Sequence, residues 1–295
     1  MKITNPKDQQ MNKFLIATLI VSLLLVGNIE AQSKKALFPD TPGMVSYTYR
    51  DSFKKDVAAT LDTLQAMGIK DMEFSNLFGK TAADLRAMLD ERNMYCSSFG
   101  VSYADLMEKT DQVGENAKTL GAKYVRIAWI PHTAPFDLVA AEKAITDFNA
   151  VGKVLKEKFD LTFCYHNHGY EFHPHGDGTL FDLMIQKTDP KYVSYEMDIL
   201  WTFFPGADPV VYLEKYGERF ALMHLKDLRK GVEGNKSGGT PVENDVALGT
   251  GQLDIPAILV AAKKDKVNHY YIEYEIPVYI KQVPQSMEYL KSLKK

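Results

Sequence analysis

The chain has 295 residues, of which 45% are hydrophobic and 25% are charged, a composition typical of a folded globular protein rather than a disordered or fibrous one. Its 35 Lys and Arg residues against 38 Asp and Glu residues give a formal net charge of −3, and the main body of the chain carries no basic block. We therefore do not expect nucleic acid as a partner.

The N-terminal segment has the pattern of a secretory signal peptide. Met11, Asn12 and Lys13 precede an apolar run over 14–27, and the small residue Ala31 follows. An uncleaved membrane anchor is the other interpretation, but the run is shorter than the roughly 20 residues that span a bilayer. We predict a signal peptide over 1–31, with Met11 as an alternative start, and an exported, periplasmic chain without stable membrane insertion after cleavage.

Short β-rich runs then alternate with amphipathic segments along the rest of the chain. The predicted strands are 44–49, 71–74, 95–101, 124–130, 161–167, 193–198, 220–226 and 270–275. Strands that alternate with helices form a parallel sheet, and eight such units in about 250 residues predict a (β/α)8 TIM barrel. The first predicted strand lacks the glycine fingerprint of a dinucleotide-binding fold. We therefore predict one α/β barrel domain over 32–295, with Cys96 and Cys164 as buried free thiols.

Ionisable side chains follow four consecutive predicted strands at their carboxyl ends. The pairs that share a strand face are His166 with His168, Glu196 with Asp198, His224 with Lys226, and Glu273 with Glu275. A barrel interior is normally filled by Val, Ile and Leu, and burying unpaired charge is costly. Mixed carboxylate and imidazole donors suit a divalent ion such as Mn, Co, Zn or Mg. The pattern predicts one metal site at the active-site end of the barrel.

The motifs HNHGYEF, EMD, MHLKD, GTGQLD and YIEYE, in this order, resemble those of the xylose isomerase-like barrel superfamily, often labelled sugar phosphate isomerase/epimerase. The resemblance extends over about residues 40–295. It implies a single-metal enzyme acting on sugars or cyclitols. It also implies four metal ligands: a Glu after strand five, an Asp after strand six, a His after strand seven and a Glu on strand eight.

Three of those ligands have matching positions in this chain. The resemblance assigns them to Asp198, His224 and Glu273, with Glu275 as the fallback for the last. Strand five departs from the family, because its end carries His166 and His168 while the nearest acid is Glu171. We predict Glu171 as the fourth ligand because it restores the charge of the set, and His168 as an acid/base or substrate contact; His166 and His168 remain alternative ligands.

Other polar and aromatic side chains near the strand ends are predicted to contact the substrate. They are His166, Lys226, Trp201, Glu73, Trp129 and His132. The alternative for Lys226 is an ion pair with Glu196, and the alternative for Trp201 is plain packing. The glycines of 249–254 precede a predicted helix, where they more simply form a turn than an anion site.

The function implied is an exported, metal-dependent isomerase or epimerase that acts on a free sugar or keto-sugar through an enediolate, with Glu171, Glu273 and His168 as catalytic groups. A keto-glycoside lyase or hydratase at the same metal site is the first alternative, and a non-catalytic carbohydrate-binding barrel is the second. The expected partner is a small sugar or glycoside, and self-association into a homo-oligomer is left open. The acidic charge and the predicted export argue against a DNA-repair endonuclease.

Overall fold

In the computed structural model, residues 36–38 and 41–294 are described, and the contacts divide the chain into two units. One unit is Leu37–Leu293, which carries the helices and barrel strands given below. The other combines Met1–Ala36 with Lys294–Lys295, of which Ala36 and Lys294 are described. The predicted signal peptide over 1–31 lies outside the described residues. Within the described part of the chain, no helix has both the length and the apolar character of a membrane span.

Eight parallel strands close into a barrel in which each strand pairs with its neighbours in sequence and the last pairs with the first. They are β1 (Gly43–Val45), β2 (Asp71–Phe74), β3 (Tyr95–Gly100), β4 (Tyr124–Ile127), β5 (Thr162–His166), β6 (Val193–Asp198), β7 (Phe220–Leu225) and β8 (His269–Ile272). The predicted (β/α)8 barrel is confirmed, and every predicted run overlaps one strand. β1 ends earlier than predicted because the N–H groups of Thr48 and Tyr49 bond back to the carbonyls of Val45 and Ser46 in a turn.

Helices cover the outside of the barrel. They are α1 (Arg50–Lys55), α2 (Val57–Ala66), α3 (Ala82–Asp90), α4 (Tyr103–Glu108), α5 (Thr110–Leu120), α6 (Leu138–Phe159), α7 (Leu180–Lys187), α8 (Ile199–Phe203), α9 (Pro209–Tyr216), α10 (Ile255–Lys264) and α11 (Tyr279–Ser292). Local sequence explains several starts: Thr81 and Thr179 each form a capping box with an Asp three residues later, which satisfies N–H groups of the first turn. Most of the buried apolar side chains lie in one large cluster formed by the strands and these helices.

The barrel interior contains a small apolar cluster, and ionisable side chains collect toward its carboxyl end. Cys164, Leu222 and Tyr271 form a small buried cluster, and Cys164, like Cys96, is a buried free thiol as predicted. The long loop after β7 begins in a two-residue antiparallel ladder, in which Asp227–Leu228 pairs with Asp245–Val246. This ladder anchors the loop beside the end of β7, where the polar side chains collect.

Candidate metal centre and active site

Four buried side chains from four consecutive strands meet at the carboxyl end of the barrel. His166 ends β5, Asp198 ends β6, His224 lies in β7, and Glu273 immediately follows β8. Each offers one donor atom, and these atoms all lie within 4.8 Å of one another. Because parallel strands bring their carboxyl ends to one face of a barrel, residues distant in sequence converge here. We call these four residues the donor cluster.

The distances within the donor cluster suit a single divalent ion. His166 Nε2 lies 3.1 Å from His224 Nδ1 and 3.4 Å from Asp198 Oδ2, and His224 Nδ1 lies 2.8 Å from Glu273 Oε2. Four ligands about 2 Å from a tetrahedral ion would lie roughly 3.3 Å apart. Asp198 Oδ2 is buried and accepts no hydrogen bond from the described residues. Two imidazoles and two carboxylates are a donor set that Zn, Co or Mn accepts.

Glu171, predicted as the strand-five ligand, lies outside the donor cluster, and His166 stands in its place. The chain turns at Gly169 (φ 91°) into a 3₁₀ turn over Tyr170–Phe172. This turn directs the Glu171 carboxylate to the Tyr165 hydroxyl and to the N–H of His168, which lies 2.9 Å away. Burial raises the pKa of Glu171 to about 7. Among the four residues that could hold an ion, the strand-five position is thus an imidazole and not the carboxylate expected from the family.

Beneath the donor cluster lies a second buried group of charged residues. His224 Nε2 lies 2.9 Å from Glu73 Oε1 and 3.3 Å from Glu196 Oε1, and the Arg126 guanidinium contacts both carboxylates. Glu73 is fully buried and paired in this way, so its carboxylate sits under the cluster rather than where it was predicted, against a substrate hydroxyl. Sequence reasoning missed Arg126; the signal was a lone charge in the otherwise apolar strand β4.

The charged residues of this second group shift one another's pKa values. Burial and the neighbouring charge of Glu73 raise the pKa of Glu196 to about 7. Burial alone would also raise the pKa of Glu73, but the positive charges of Arg126 and His224 hold it well below its usual range. Burial alone would lower the pKa of His224, yet the carboxylates around it raise it. With no ion bound, the His224 ring therefore favours its doubly protonated form.

Lys226 lies beside the donor cluster, with its ammonium group close to the carboxylate of Glu273. Its Nζ lies 2.8 Å from Glu275 Oε1 and 3.4 Å from Glu273 Oε2, and 5.5 Å from the ring centroid of Trp201. The fallback ligand Glu275 is therefore an ion-pair partner of Lys226, whereas the alternative pairing of Lys226 with Glu196 is not formed. Burial would lower the pKa of Lys226, but the surrounding carboxylates raise it, so the amine stays protonated.

Aromatic rings border the donor cluster on the side of β5. The His168 ring lies 5.6 Å from that of His166, 4.8 Å from that of Trp201 and 5.3 Å from that of Trp129, and His132 stacks on Trp129. Trp129 is 45% exposed, whereas Trp201 is buried. Trp201 Nε1 and His168 Nδ1 are buried and make no hydrogen bond to the described residues. The structure thus brings these four predicted contact residues together beside the donor cluster.

Burial and the neighbouring His166 lower the pKa of His168 to about 3. Its imidazole is therefore uncharged near neutral pH and retains a ring nitrogen that can accept a proton. His168 and Lys226 consequently differ in charge: the imidazole is neutral and the amine is a cation. Both contact Trp201, so they stand on the same side of the donor cluster.

The glycine loop after β7 is organised around a carboxylate of the protein itself. Asp227 Oδ2 accepts the N–H groups of Gly249 and Gly251, both at 2.9 Å, and Oδ1 accepts those of Leu228 and Leu253. Gly249 has a φ of 79°, which favours glycine. Backbone N–H groups that converge in this way can cradle an anion, and the loops after strands seven and eight often bind phosphate in barrels of this kind. Here Asp227 fills the cradle.

Comparison with known proteins gives the family. Residues 61–293 match the family model described as xylose isomerase-like TIM barrel. The chain belongs to that family. It is 23% identical over 220 residues to inosose dehydratase of Geobacillus kaustophilus, a match that covers 65% of this chain and 67% of that protein.

Solved structures with the same fold agree with this assignment. A sugar phosphate isomerase/epimerase from Parabacteroides distasonis superposes with a TM-score of 0.68 at 21% identity, covering 89% of this chain and 98% of that one. The IOLI protein, in a structure with a bound zinc atom, superposes with a TM-score of 0.67 at 14% identity, covering 85% and 95%. At these identities the likeness concerns the fold alone.

Proposed function

We propose that this barrel is a divalent-metal-dependent lyase that removes water from a keto form of a free sugar or cyclitol. The observation that carries the proposal is the convergence of His166, Asp198, His224 and Glu273, whose donor atoms lie within 4.8 Å of one another. An ion held there would act as a Lewis acid toward a substrate oxygen. The zinc in the IOLI structure and the inosose dehydratase relative support the metal and the reaction class.

The residues beside the donor cluster favour elimination over epimerisation. Epimerisation needs a base on each face of the carbon that loses its proton, and Glu171, the predicted second base, is held away from the cluster by Tyr165 and the N–H of His168. Glu273 would hold the ion and so would not be free to act as the second base, which leaves the His168 imidazole, whose Nδ1 makes no hydrogen bond to the described residues, and the Lys226 ammonium group. An acceptor and a donor together are the equipment for breaking a C–H bond and a C–O bond.

The proposed elimination breaks one C–H bond and one C–O bond. The His168 imidazole takes the proton from the carbon next to the carbonyl, the C–O bond to the neighbouring carbon breaks, and Lys226 gives its proton to the departing oxygen. The products are an unsaturated ketone and water. Trp201 Nε1 and the aromatic faces of Trp129 and His132 hold the ring of the substrate in this arrangement.

One observation and one prediction favour an unphosphorylated substrate. Asp227 fills the N–H cradle of the loop after β7, so the backbone donors that would bind a phosphate are already used. The predicted signal peptide over 1–31 belongs to the same proposal, because sugar phosphates are mainly cytoplasmic metabolites. N-terminal mass analysis of the chain recovered from a periplasmic fraction tests the export: Gln32 as the first residue supports it, and an intact N-terminus in the cytoplasmic fraction contradicts it.

The reaction is tested by incubating the purified, metal-analysed protein in D2O with free keto-sugars and keto-cyclitols and following the products by NMR. We expect loss of the proton next to the carbonyl together with new vinylic signals. His166→Ala should abolish both the bound metal and the reaction, whereas His175→Ala, in the hairpin after β5, should change neither. Deuterium incorporation or a moved carbonyl without vinylic signals would indicate an isomerase or epimerase, the second candidate, which the Parabacteroides structure favours. Sugar binding without reaction would indicate a non-catalytic barrel.

A further inference from the structure

The group beneath the donor cluster is itself built like a cation site, and we propose that the Arg126 guanidinium is its permanent occupant. The barrel would then hold two adjacent cation positions that share His224, one for a divalent ion and one filled by the protein's own side chain. This inference rests on the proposed metal centre above it. It explains why so many carboxylates lie in the interior of one barrel.

The donor geometry supports a second cation position. One atom each of Glu73, Glu196 and His224 lies within 4.8 Å of the other two, and all three residues are buried. His224 uses Nδ1 toward the donor cluster and Nε2 toward the two glutamates, so its ring lies between the two positions, and a second ion on Nε2 would displace the proton of that nitrogen to solvent and leave a bridging imidazolate. Glu73 Oε2 and both oxygens of Glu196 are buried, and none of them makes a hydrogen bond within the described residues.

The negative charge of Glu73 and Glu196 explains why a cation is needed between them. Two carboxylates in a dry interior repel each other, and burying an unpaired carboxylate is costly. The guanidinium contacts Glu73 through Nη2 and lies 3.4 Å from Glu196 Oε2 through Nε. Arginine keeps its charge when it is buried and presents several donors in a fixed plane, which a lysine does not. One guanidinium thus compensates the charge of two carboxylates that would otherwise attract a metal ion.

The neighbouring strand is shaped to admit this side chain. A Cβ atom on Gly100, at the end of β3, would lie 3.0 Å from the guanidinium carbon of Arg126 and 3.1 Å from the carbonyl oxygen of Phe74. The guanidinium therefore occupies space that any other residue at position 100 would invade. A side chain there would have to displace the guanidinium or the Phe74 carbonyl by a few tenths of an ångström, so the glycine supports a guanidinium held in this place.

Removing the guanidinium should open the second position to a divalent ion. We expect Arg126→Ala, refolded with ZnCl2 and freed of excess ion, to hold two Zn²⁺ per chain by native mass spectrometry, against one for the unchanged protein. The double variant Arg126→Ala/Glu196→Gln, which loses one donor and one negative charge, should return to one. Arg86→Ala, which removes a surface arginine paired with Asp90, is the matched control and should also hold one.

The outcomes separate the two proposals. If the unchanged protein binds no divalent ion, the proposed metal centre fails and this inference fails with it. If the unchanged protein binds one ion and Arg126→Ala also binds one, the metal centre stands and the second position is refuted. Failure of Arg126→Ala to fold even with Zn²⁺ present, while the double variant folds, likewise refutes it, because the ion then does not replace the guanidinium.

Discussion

His166 Nε2 lies 3.1 Å from Nδ1 of His224, and both nitrogens face the carboxylates of Asp198 and Glu273. Two imidazoles and two carboxylates carry one negative charge fewer than the family's expected set of three carboxylates and one imidazole. Nitrogen donors also suit Zn and Co better than Mg. The identity of the strand-five residue should therefore influence which ion this protein selects.

The first prediction concerns this ion preference. His166→Glu restores a third carboxylate, so we expect the ratio of Zn²⁺ to Mg²⁺ affinity to fall about tenfold or more, because carboxylate oxygen favours the harder ion. Competitive titration of the metal-free protein measures the ratio. His175→Glu makes the same chemical change in the hairpin after β5 and should leave the ratio unaltered. An unchanged ratio in His166→Glu would remove His166 from the ligand set.

The second prediction concerns Glu73 as a positioning residue. Its carboxylate accepts the Nε2–H of His224 at 2.9 Å, which fixes the ring tautomer with Nδ1 toward the ion. Glu73→Gln weakens that hold, and we expect Zn²⁺ affinity to fall by about 10- to 100-fold. Isothermal titration measures it, and the Co²⁺ absorption spectrum should shift as the ligand orientation changes. The surface variant Glu115→Gln serves as the control; equal affinities in the two variants would contradict the role of Glu73.

The third prediction concerns pH. Burial raises the pKa of Glu171 from 4.5 to about 7, so the folded state binds this proton more tightly than the unfolded chain does. The contribution of Glu171 to stability is therefore full below pH 4.5 and declines as the pH rises toward 7. Between about pH 5 and pH 7.5 the unchanged protein should lose up to about 3 kcal/mol relative to Glu171→Gln. Urea unfolding of both proteins measures this difference, and parallel pH profiles would show that Glu171 titrates normally.

The fourth prediction concerns the filled cradle. Asp227→Asn keeps one acceptor oxygen. Its amide N–H2 group takes the place of the other oxygen and faces backbone N–H groups, which are also donors. An unsatisfied buried donor costs about 1–3 kcal/mol, so Asp227→Asn should lower the free energy of unfolding by about 2 kcal/mol or more. Denaturant unfolding measures the loss, with the exposed Asp177→Asn as control. A loss no larger than that of the control would mean that the loop does not depend on this carboxylate.

The fold was predictable from the sequence because its pattern is local. Each strand is a short apolar run and each helix an amphipathic one, and a barrel needs only their alternation and number. The same pattern put ionisable residues near the carboxyl ends of four strands, and the family resemblance then singled out Asp198, His224 and Glu273 among them.

What the sequence did not predict depended on non-local geometry. Glu171 was preferred to His166 as the strand-five ligand because it restores the charge of the family's ligand set. The turn at Gly169, which points the Glu171 carboxylate to Tyr165, cannot be read from the sequence. Arg126 was missed because its carboxylate partners come from other strands, 53 residues away in the case of Glu73. Such pairings form only when the barrel closes, and the lone charge in β4 does not tell which residues it will pair with.

The carboxylate of Asp227 has a consequence for substrate binding itself. A loop whose backbone donors wait for a phosphate must be ordered by its ligand, and part of the binding energy is lost in that ordering. Here Gly249, Gly251 and Leu253 are already tied to Asp227. The loop is therefore ordered before any ligand binds, and no binding energy is spent on ordering it.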